Sequence, residues 1–412
     1  MEINQQTLDF IAKHAGDDVR SLALCAHGEG VDMRFALDQI AGRQTARRKL
    51  PSWAATDGLL YPPHLSMEQC SGEVAATYKA GIARRLLPAG ESMADLTGGF
   101  GVDFSFLARG FREATYVERQ EHLCGVARHN FGVLGLAHAT VVCGDGVDYL
   151  RAMQPVSLVY VDPARRSATG GRTFAIADCE PDVAQLCGML LAKSDYTMVK
   201  LSPMLDWRKA VADMGDKVSE VHIVSEGGEC KELLLVLSHA GSGIERLCCA
   251  NGGSVFSVES DSSCAADGLC APSHGLGLAM GRLSQMVGGG GVPLHLYEPD
   301  ASVMKAGCFS ALEARFGVEQ ISANSHLFVA CKPVCGFPGR GFVVDCVTTM
   351  NKKELRSALA GIAKANITTR NFPSDVATLR RKLRLADGGD TYIFATTLAD
   401  GTHALIVCRK EV

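Results

Sequence analysis

Four acidic residues stand at the ends of four successive aliphatic runs in the first half of the chain. They are Asp95, Glu118, Asp145 and Asp162, and neighbouring members are 23, 27 and 17 residues apart. Each separation accommodates about one strand and one helix or loop, so parallel strands would bring all four carboxyl groups to one edge of a sheet. Carboxylates in that arrangement accept hydrogen bonds from amino and hydroxyl groups and attract cations. The spacing predicts a site for a cationic or zwitterionic ligand.

A glycine-rich loop, "LTGGFGVD", follows the first of these runs. Gly98, Gly99 and Gly101 would let the backbone turn tightly and approach a ligand before a helix begins. A dinucleotide-binding fingerprint requires a third glycine where Phe104 stands, and Asp103 would oppose a pyrophosphate in this turn. The loop therefore disfavours a nicotinamide dinucleotide.

S-adenosylmethionine suits this acidic loop better, because it carries a sulfonium, an amino group and a ribose diol. We expect Glu118 to accept hydrogen bonds from both ribose hydroxyls and Asp145 to accept one from the adenine amino group. The predicted cofactor-binding residues are Asp95, Thr97, Gly98, Gly99, Gly101, Asp103, Glu118 and Asp145. The alternative is an unrelated α/β fold in which a glycine turn and capping carboxylates have no ligand.

The pattern of apolar residues changes along the chain, and this change predicts the elements that position the acidic residues. Between about residues 91 and 240, short apolar runs such as "ATVVC" and "VSLVYV" alternate with helical segments. This alternation predicts an α/β fold with a doubly wound, Rossmann-like parallel sheet whose strand ends form the site. The run "CKELLLVLSHA" indicates a further strand, for which an antiparallel direction is one option.

The flanking regions differ from this pattern. Residues 1–85 have apolar side chains at three- and four-residue steps and are predicted to form an N-terminal helical domain. The sheet domain is expected at 86–250. Residues 251–337 combine a Gly- and Ser-rich irregular join with a strand, a turn and a helix, and 338–412 alternate strands and helices in an α+β pattern.

Composition limits the possible classes of protein. The 412 residues predict roughly two to four folding units. Neither a membrane span nor a signal peptide is evident in the sequence, so we expect a cytoplasmic protein. The 16 cysteines occur singly in apolar runs, which favours buried reduced thiols over a metal site.

Long strings of the chain resemble one known group of proteins. "ADLTGGFG", "YVER", "VVCGD" and "VYVDPAR" are similar to the ordered motifs of class I S-adenosylmethionine-dependent methyltransferases. "QIAGRQTARRKLPSW", "MEQCSGEVAATYK", "YEPDASVMKAG" and "LRRKLRLADGGDTYIFATT" extend the resemblance over nearly the full length, to bacterial members with a C-terminal THUMP-like domain, related to RNA cap guanine-N2 methyltransferases. The resemblance implies a ferredoxin-like module within 251–337 and a THUMP-like RNA-binding module at 338–412.

The segment "VDPARR" matches part of a motif of methyltransferases that act on exocyclic amines of nucleobases. The resemblance implies that Asp162 and Pro163 orient the target amine, although Ala164 and Arg165 replace the second proline and the aromatic residue of that motif. We expect Arg165 or Arg166 to stack on the base or hold a phosphate. A solvated arginine pair that caps a loop is an equally good interpretation. The predicted catalytic residues are Asp162, Pro163 and Arg165, and the predicted substrate-binding residues are Arg166, Phe174, Lys200, Arg380, Arg381, Lys382 and Arg384.

Positive charge is concentrated at the end of the chain, although the formal net charge is -4. Residues 338–412 contain twelve Lys and Arg against seven Asp and Glu, with the densest cluster in "LRRKLR", at a helix start or turn. This cluster predicts a contact to the phosphate backbone of structured RNA, such as tRNA or rRNA. A solvated basic helix is the alternative.

The predicted function is methyl transfer to a nucleobase amine in structured RNA, with guanine N2 as first choice and adenine N6 as second. Two alternatives stay open: a catalytically silent RNA-binding protein with this fold, and methylation of an amine in DNA or protein. No metal is expected.

Overall fold

A mixed sheet of nine strands forms the scaffold in a computed structural model. The structure describes residues 3–25, 29–165, 176–240, 243–260, 277–288 and 293–411. The chain divides into two units, Met1–Val221 with Glu232–Ser242, and His222–Lys231 with Gly243–Val412. Among the described residues, no helix is long and apolar enough to cross a membrane.

Six helices precede the sheet, as the periodicity of residues 1–85 predicts. They are α1 (Gln5–Lys13), α2 (Val19–Cys25), α3 (Met33–Lys49), α4 (Pro51–Ala54), α5 (His64–Gln69) and α6 (Glu73–Leu86). Side-chain caps start three of them: Asn4 accepts a hydrogen bond from the Thr7 amide, Asp18 from the Ser21 amide and Asp32 from the Phe35 amide. The sequence pattern of residues 66–87 predicts one helix, but α5 and α6 divide this segment between them. The chain leaves helical geometry at Cys70, and Gly72 begins α6 as its N-cap.

The first unit contains the predicted parallel strands. They are β1 (Ser92–Asp95), β2 (Glu113–Glu118), β3 (Ala139–Cys143), β4 (Val156–Val161) and β7 (Ser194–Leu201), with the short pair β5 (Ala164–Arg165) and β6 (Cys179–Glu180) between the last two. The intervening helices are α7 (Val102–Leu107), α8 (Glu121–Val133), α9 (Gly146–Ala152), α10 (Val183–Ala192) and α11 (Trp207–Met214), with 3₁₀ turns at Ala108–Gly110, Ile176–Asp178 and Gly215–Lys217.

The order of strands in the large sheet is β11, β10, β8, β9, β7, β4, β1, β2, β3. Strand β1 pairs in parallel with β2 on one side and with β4 on the other, so the strand order reverses between β1 and β4. Strands β8 (Val218–Glu226) and β9 (Glu229–Ser238) form a hairpin across Gly227 and Gly228, and β9 is antiparallel to β7. The predicted doubly wound sheet is confirmed, with an antiparallel edge. Ligands bind such sheets where the strand order reverses.

The second unit is an α+β structure, as predicted. Its remaining elements are β10 (Arg246–Asn251), β11 (Ser254–Glu259), α12 (Met280–Gly288), β12 (His295–Pro299), α13 (Ala301–Ala306), α14 (Phe309–Phe316), β13 (Glu319–Gln320), β14 (Phe328–Ala330), β15 (Gly339–Thr349), α15 (Lys352–Ala358), β16 (Asn366–Arg370), α16 (Val376–Leu383), β17 (Thr391–Thr397) and β18 (His403–Lys410). A seven-stranded sheet has the order β13, β14, β12, β15, β18, β17, β16. Alternate residues of β17 face opposite sides: Phe394 packs in one apolar cluster and Ile393 in another.

The Gly- and Ser-rich join is more regular than expected. Strand β11 and helix α12 fall within residues 251–290, where the composition predicts irregular structure. Gly252 has a φ of +59° and makes the turn between β10 and β11, so this glycine serves a hairpin. Residues 261–276 and 289–290 of the join lie outside the described residues. The cysteine prediction is also only partly right, because Cys143, Cys331 and Cys335 are exposed.

A buried cluster of charges joins the N-terminal helices to the sheet. The side chain of Lys79, on α6, is 0 % exposed, and its Nζ lies 2.8 Å from Asp103 Oδ1 and 2.6 Å from Glu232 Oε2. Ser71 Oγ is within 2.8 Å of both carboxylates, and the Tyr160 hydroxyl donates to Asp103 at 2.7 Å. A buried ammonium is stable only with such partners, so α6, α7 and β9 must pack together for the cluster to form.

Replacement of Lys79 by methionine is expected to destabilise the protein by roughly 3–5 kcal/mol, because two carboxylates would stay buried without their cation. For a protein of this size, the thermal midpoint should fall by about 10 °C in circular dichroism. Arg84→Met, at an exposed position of the same helix, is the control and should leave the midpoint nearly unchanged. Equal midpoints for the two variants would contradict a stabilising role for the cluster.

Candidate active site

The ends of β1 and β4 are tied together by one threonine. The Thr97 amide donates to Asp95 Oδ1 at 2.9 Å, and the Thr97 hydroxyl accepts a hydrogen bond of 2.6 Å from the Asp162 amide. Thr97 therefore fixes the backbone of Asp162 relative to the glycine loop. This bridge lies at the reversal of strand order where the sequence predicts the site.

The glycine loop can exist only with glycines at particular positions. A Cβ atom at Gly98 would lie 2.2 Å from the ring of Tyr116, and Gly99 and Gly101 have φ values of +54° and +85°. The Tyr116 hydroxyl donates to the Gly99 carbonyl, which holds the loop against β2. The loop presents backbone to the sheet edge, as predicted for close approach of a ligand.

Glu118 ends β2 beside this loop. One carboxylate oxygen accepts from the Gly99 amide at 2.9 Å and the other from the Gln120 amide at 2.8 Å. A carboxylate oxygen has two lone-pair directions, so each retains a site for a ligand hydroxyl. Glu118 thus has a structural role and keeps the capacity that the sequence predicts.

Asp145 lies at the end of β3, where it caps α9. Its Oδ1 accepts from the amides of Val147 and Asp148, and the residue is exposed. A Cβ atom at Gly146 would lie 2.0 Å from the Leu96 carbonyl oxygen, so α9 begins in direct contact with the glycine loop. That contact is consistent with the prediction that Asp145 lies near the glycine loop.

Phe104 and Asp103 have roles in the core. Phe104 is fully buried and packs on Tyr116 and Phe131, with ring centroids 5.6 and 4.8 Å away. Asp103 lies within the first turn of α7, and the buried cluster engages both of its oxygens. Burial alone would raise the pKa of Asp103, but Lys79 and Lys200 lower it to about 2. Asp103 is therefore a partner of buried lysines, and its expected contact with the cofactor stays a prediction.

Asp95 is fully buried beneath the loop. Burial raises its pKa to about 8, against the lowering effect of the Thr97 amide, and the nearby carboxylates of Asp103 and Asp162 add to the rise. In the protein without ligand, Asp95 is therefore protonated at neutral pH. A cation bound on the loop would favour its ionised form.

Asp162 and Lys200 form an ion pair at the ends of β4 and β7. Lys200 Nζ lies 2.6 Å from Asp162 Oδ2 and 3.9 Å from Asp103 Oδ2. The Lys200 side chain is 11 % exposed, whereas that of Asp162 is 37 % exposed. Burial raises the pKa of Asp162, and Lys200 opposes that rise. Lys200 thus contacts the predicted catalytic carboxylate, a partnership that the sequence does not reveal.

Other predicted substrate residues are described only in part. Pro163 is buried, and Arg165 belongs to β5, which pairs with β6, but the structure does not describe its side chain. Arg166 and Phe174 lie outside the described residues. The structure therefore does not place an aromatic residue after the Asp-Pro pair.

The basic cluster of the second unit lies at the end of a helix and in the turn that follows it, which agrees with the predicted turn and not with the predicted helix start. Arg380, Arg381 and Lys382 form the last turn of α16, and Arg384 is its C-cap with a φ of +57°. Cations there complement the helix dipole. Arg380 is paired with Asp387 at 2.7 Å, whereas Arg381, Lys382 and Arg384 are exposed.

The sequence analysis missed Lys79, Ser71 and Tyr160. Lys79 had a detectable signal, because it shares the buried face of α6 with Ala75, Ala76, Ile82 and Ala83. A lysine on such an apolar face requires buried anions. Ser71 and Tyr160 have no comparable signal.

Known proteins and families share this organisation. Residues 295–338 match a family described as a ferredoxin-like domain, and residues 339–410 match one described as THUMP domain-like. A structure from Porphyromonas gingivalis W83, provisionally assigned as a methyltransferase, is 29 % identical, with a TM-score of 0.82 and 100 % of each chain covered. No curated protein matches the chain.

Smaller structures match about two fifths of the chain. An rRNA methylase from Streptococcus thermophilus is 14 % identical over 39 % of this chain and 94 % of its own, with a TM-score of 0.31. TrmK of M. capricolum, solved with S-adenosyl-homocysteine, is 9 % identical over 40 % of this chain and 68 % of its own, with a TM-score of 0.30. Scores this low carry no further conclusion. The full-length likeness and the two family matches establish the organisation: the chain is methyltransferase-like in fold and ends in a ferredoxin-like and a THUMP-like domain.

Proposed function

We propose that this protein transfers a methyl group from S-adenosylmethionine to an exocyclic amine of a nucleobase in structured RNA. The observation that carries the proposal is the position of Asp162, which is partly exposed at the reversal of strand order and held beside the glycine loop by Thr97. Guanine N2 is the first choice of acceptor and adenine N6 the second, from the group that the sequence resembles.

The residues at the glycine loop fit the cofactor. Gly98, Gly99 and Gly101 provide a backbone surface without side chains, and Glu118 and Asp145 provide acceptors for hydroxyl and amino groups. Asp95 adds negative charge from beneath the loop when it is ionised. When bound, S-adenosylmethionine supplies an electrophilic methyl group on a sulfonium.

Asp162 has the properties of an orienting acceptor. Its carboxylate would accept hydrogen bonds from the amine hydrogens, which directs the nitrogen lone pair outward. As the bond from the acceptor nitrogen to the methyl carbon forms, the bond from that carbon to sulfur would break, and the cofactor would leave as a neutral thioether. The positive charge would pass from sulfur to nitrogen, where the nearby carboxylate would stabilise it. The nitrogen then releases one proton, which Asp162 can pass to water, so a strong base is not required.

RNA is the favoured macromolecule because of the second unit. It contains the THUMP domain-like match, and the exposed cations Arg381, Lys382 and Arg384 lie within that match. Exposed cations bind phosphate without reading sequence, so we expect recognition of folded RNA mainly through its backbone and shape.

Methyl transfer should be detected with labelled S-adenosylmethionine and RNA from cells that lack this protein. We expect N2-methylguanosine, or N6-methyladenosine, in mass spectra of the digested nucleosides. Asp162→Ala should reduce the rate by about 10²-fold or more, because the amine loses its acceptor. The transfer rate of Asp162→Asn, which keeps one side-chain oxygen, should lie between the rates of Asp162→Ala and the unmutated protein.

Cofactor affinity, measured by calorimetry for each variant, separates loss of transfer from loss of binding. It should change less than threefold in Asp162→Ala. Label in DNA or protein but not in RNA would replace the proposed substrate class. Cofactor binding without transfer to any of the three would favour a silent RNA-binding protein.

Cofactor binding should release a proton from Asp95. Because the pKa of Asp95 is raised to about 8, affinity for S-adenosylmethionine should weaken as the pH falls below 8, by up to about tenfold per pH unit. Calorimetry at pH 6 to 9 measures this slope, and Asp95→Asn should reduce it. The amino group of the cofactor also titrates between pH 6 and 9. The slope that remains in Asp95→Asn measures that contribution, and the difference between the two slopes belongs to Asp95.

The stability of the free protein provides a second measurement on Asp95. A raised carboxyl pKa stabilises the folded state at low pH, and this contribution is lost as the pH rises from about 4 through 8. The thermal midpoint of Asp95→Asn should therefore rise relative to the unmutated protein between pH 6 and 9. A constant difference over that range would show that Asp95 does not titrate there.

A further inference from the structure

We propose that Lys200 is a positioning residue for Asp162: its ammonium holds one carboxylate oxygen and keeps the group ionised, so that the other oxygen is free to accept the target amine. This inference rests on the proposed function and assigns Lys200 to the acceptor carboxylate, where the sequence predicts a contact to substrate.

The geometry leaves Asp162 little freedom. Its backbone amide is bound by Thr97, and its Oδ2 accepts from Lys200 Nζ at 2.6 Å. Within the described parts of the chain, no protein group donates to Oδ1. With backbone and Oδ2 both held, Oδ1 is the oxygen available to a ligand, and the exposed 37 % of the side chain gives access to it.

Lys200 itself is held from behind by the buried cluster. Its Nζ is 3.9 Å from Asp103 Oδ2, an oxygen that also accepts from Tyr160. Burial alone would lower the pKa of Lys200, but Asp162, Asp103 and Glu232 together raise it well above its ordinary value. Lys200 therefore remains a cation over the whole physiological range.

Charges on every neighbouring element determine the titration of Asp162. The ionisable groups that act on Asp162 or on Lys200 are Lys79 on α6, Asp95 on β1, Asp103 on α7, Tyr160 on β4, Glu232 on β9 and Cys70 before α6. Among them, Lys79 is the other cation, and it already neutralises Asp103 and Glu232. Lys200 is therefore the cation in direct contact with Asp162.

Replacement of Lys200 by methionine tests the inference without reference to catalysis. Asp162 would lose its cation while its side chain stays partly buried, so its pKa should rise further. The thermal midpoint of Lys200→Met should then fall more steeply with increasing pH between 5 and 9 than that of the unmutated protein. The double variant with Asp162→Asn should lose this extra slope. Parallel curves for Lys200→Met and the unmutated protein would overturn the proposal, whether or not any methyl transfer is observed.

Kinetics test the consequence for the reaction. At pH 7, Lys200→Met should lower kcat by about 10²-fold and change KM for RNA less than threefold, and the acid limb of its pH profile should move to higher pH. Lys200→Arg, which keeps the cation, should have its acid limb within about half a pH unit of the acid limb of the unmutated protein. Lys209→Met, at a surface lysine paired with Asp213, is the matched control and should behave as the unmutated protein. A slower variant with an unshifted acid limb would contradict the role in ionisation.

Discussion

A lysine ammonium with no access to water governs the arrangement of the candidate site. Lys79 is fully buried, and a buried cation without partners would cost several kcal/mol or lose its proton. Asp103 and Glu232 meet that requirement from two different elements, a helix after the glycine loop and an antiparallel strand. The other oxygen of Asp103, Oδ2, lies 3.9 Å from Lys200 Nζ, and Lys200 pairs with Asp162. Positive and negative groups therefore alternate from the N-terminal helices to the strand end where chemistry is proposed.

This alternation gives the N-terminal helices a part in the electrostatics of the site. The break between α5 and α6 places Ser71 between the two carboxylates, where a continuous helix would carry it elsewhere. The helices do more than shield the sheet from water, since Lys79 neutralises charge that would otherwise act on Lys200 and Asp162.

Most elements of the fold could be predicted from the sequence, because strand burial and helix periodicity are local signals. The parallel strands and the direction of the antiparallel edge agree with the alternating texture and with the run "CKELLLVLSHA". The predictions failed where a single residue type serves two purposes. The glycines in 251–290 predict an irregular join, yet Gly252 makes a hairpin turn. The cations after Leu379, predicted at a helix start or turn, lie at the end of α16 and in the turn after it.

The sequence predicts which residues of the candidate site lie at strand ends, but it does not predict the contacts of their side chains. Asp95, Glu118 and Asp162 follow from spacing, because parallel strands bring their carboxyl ends to one edge. The partner of each side chain does not follow from spacing: Asp103 could face a ligand or Lys79, and only the packing of α6 against α7 decides between them. For the same reason the pairing of Lys200 with Asp162 is visible only in three dimensions.

The hairpin of β8 and β9 has a consequence for how the protein could be divided. The boundary between the two units falls inside both strands, after Val221 and again after Lys231, so the chain enters the second unit and returns before it leaves for good. Glu232, which neutralises Lys79, is the first residue after that return. A catalytic fragment that ended before residue 243 would keep this carboxylate but would also carry the hairpin tip of the other unit, stripped of its neighbours. A single cut in the chain therefore does not separate the two units.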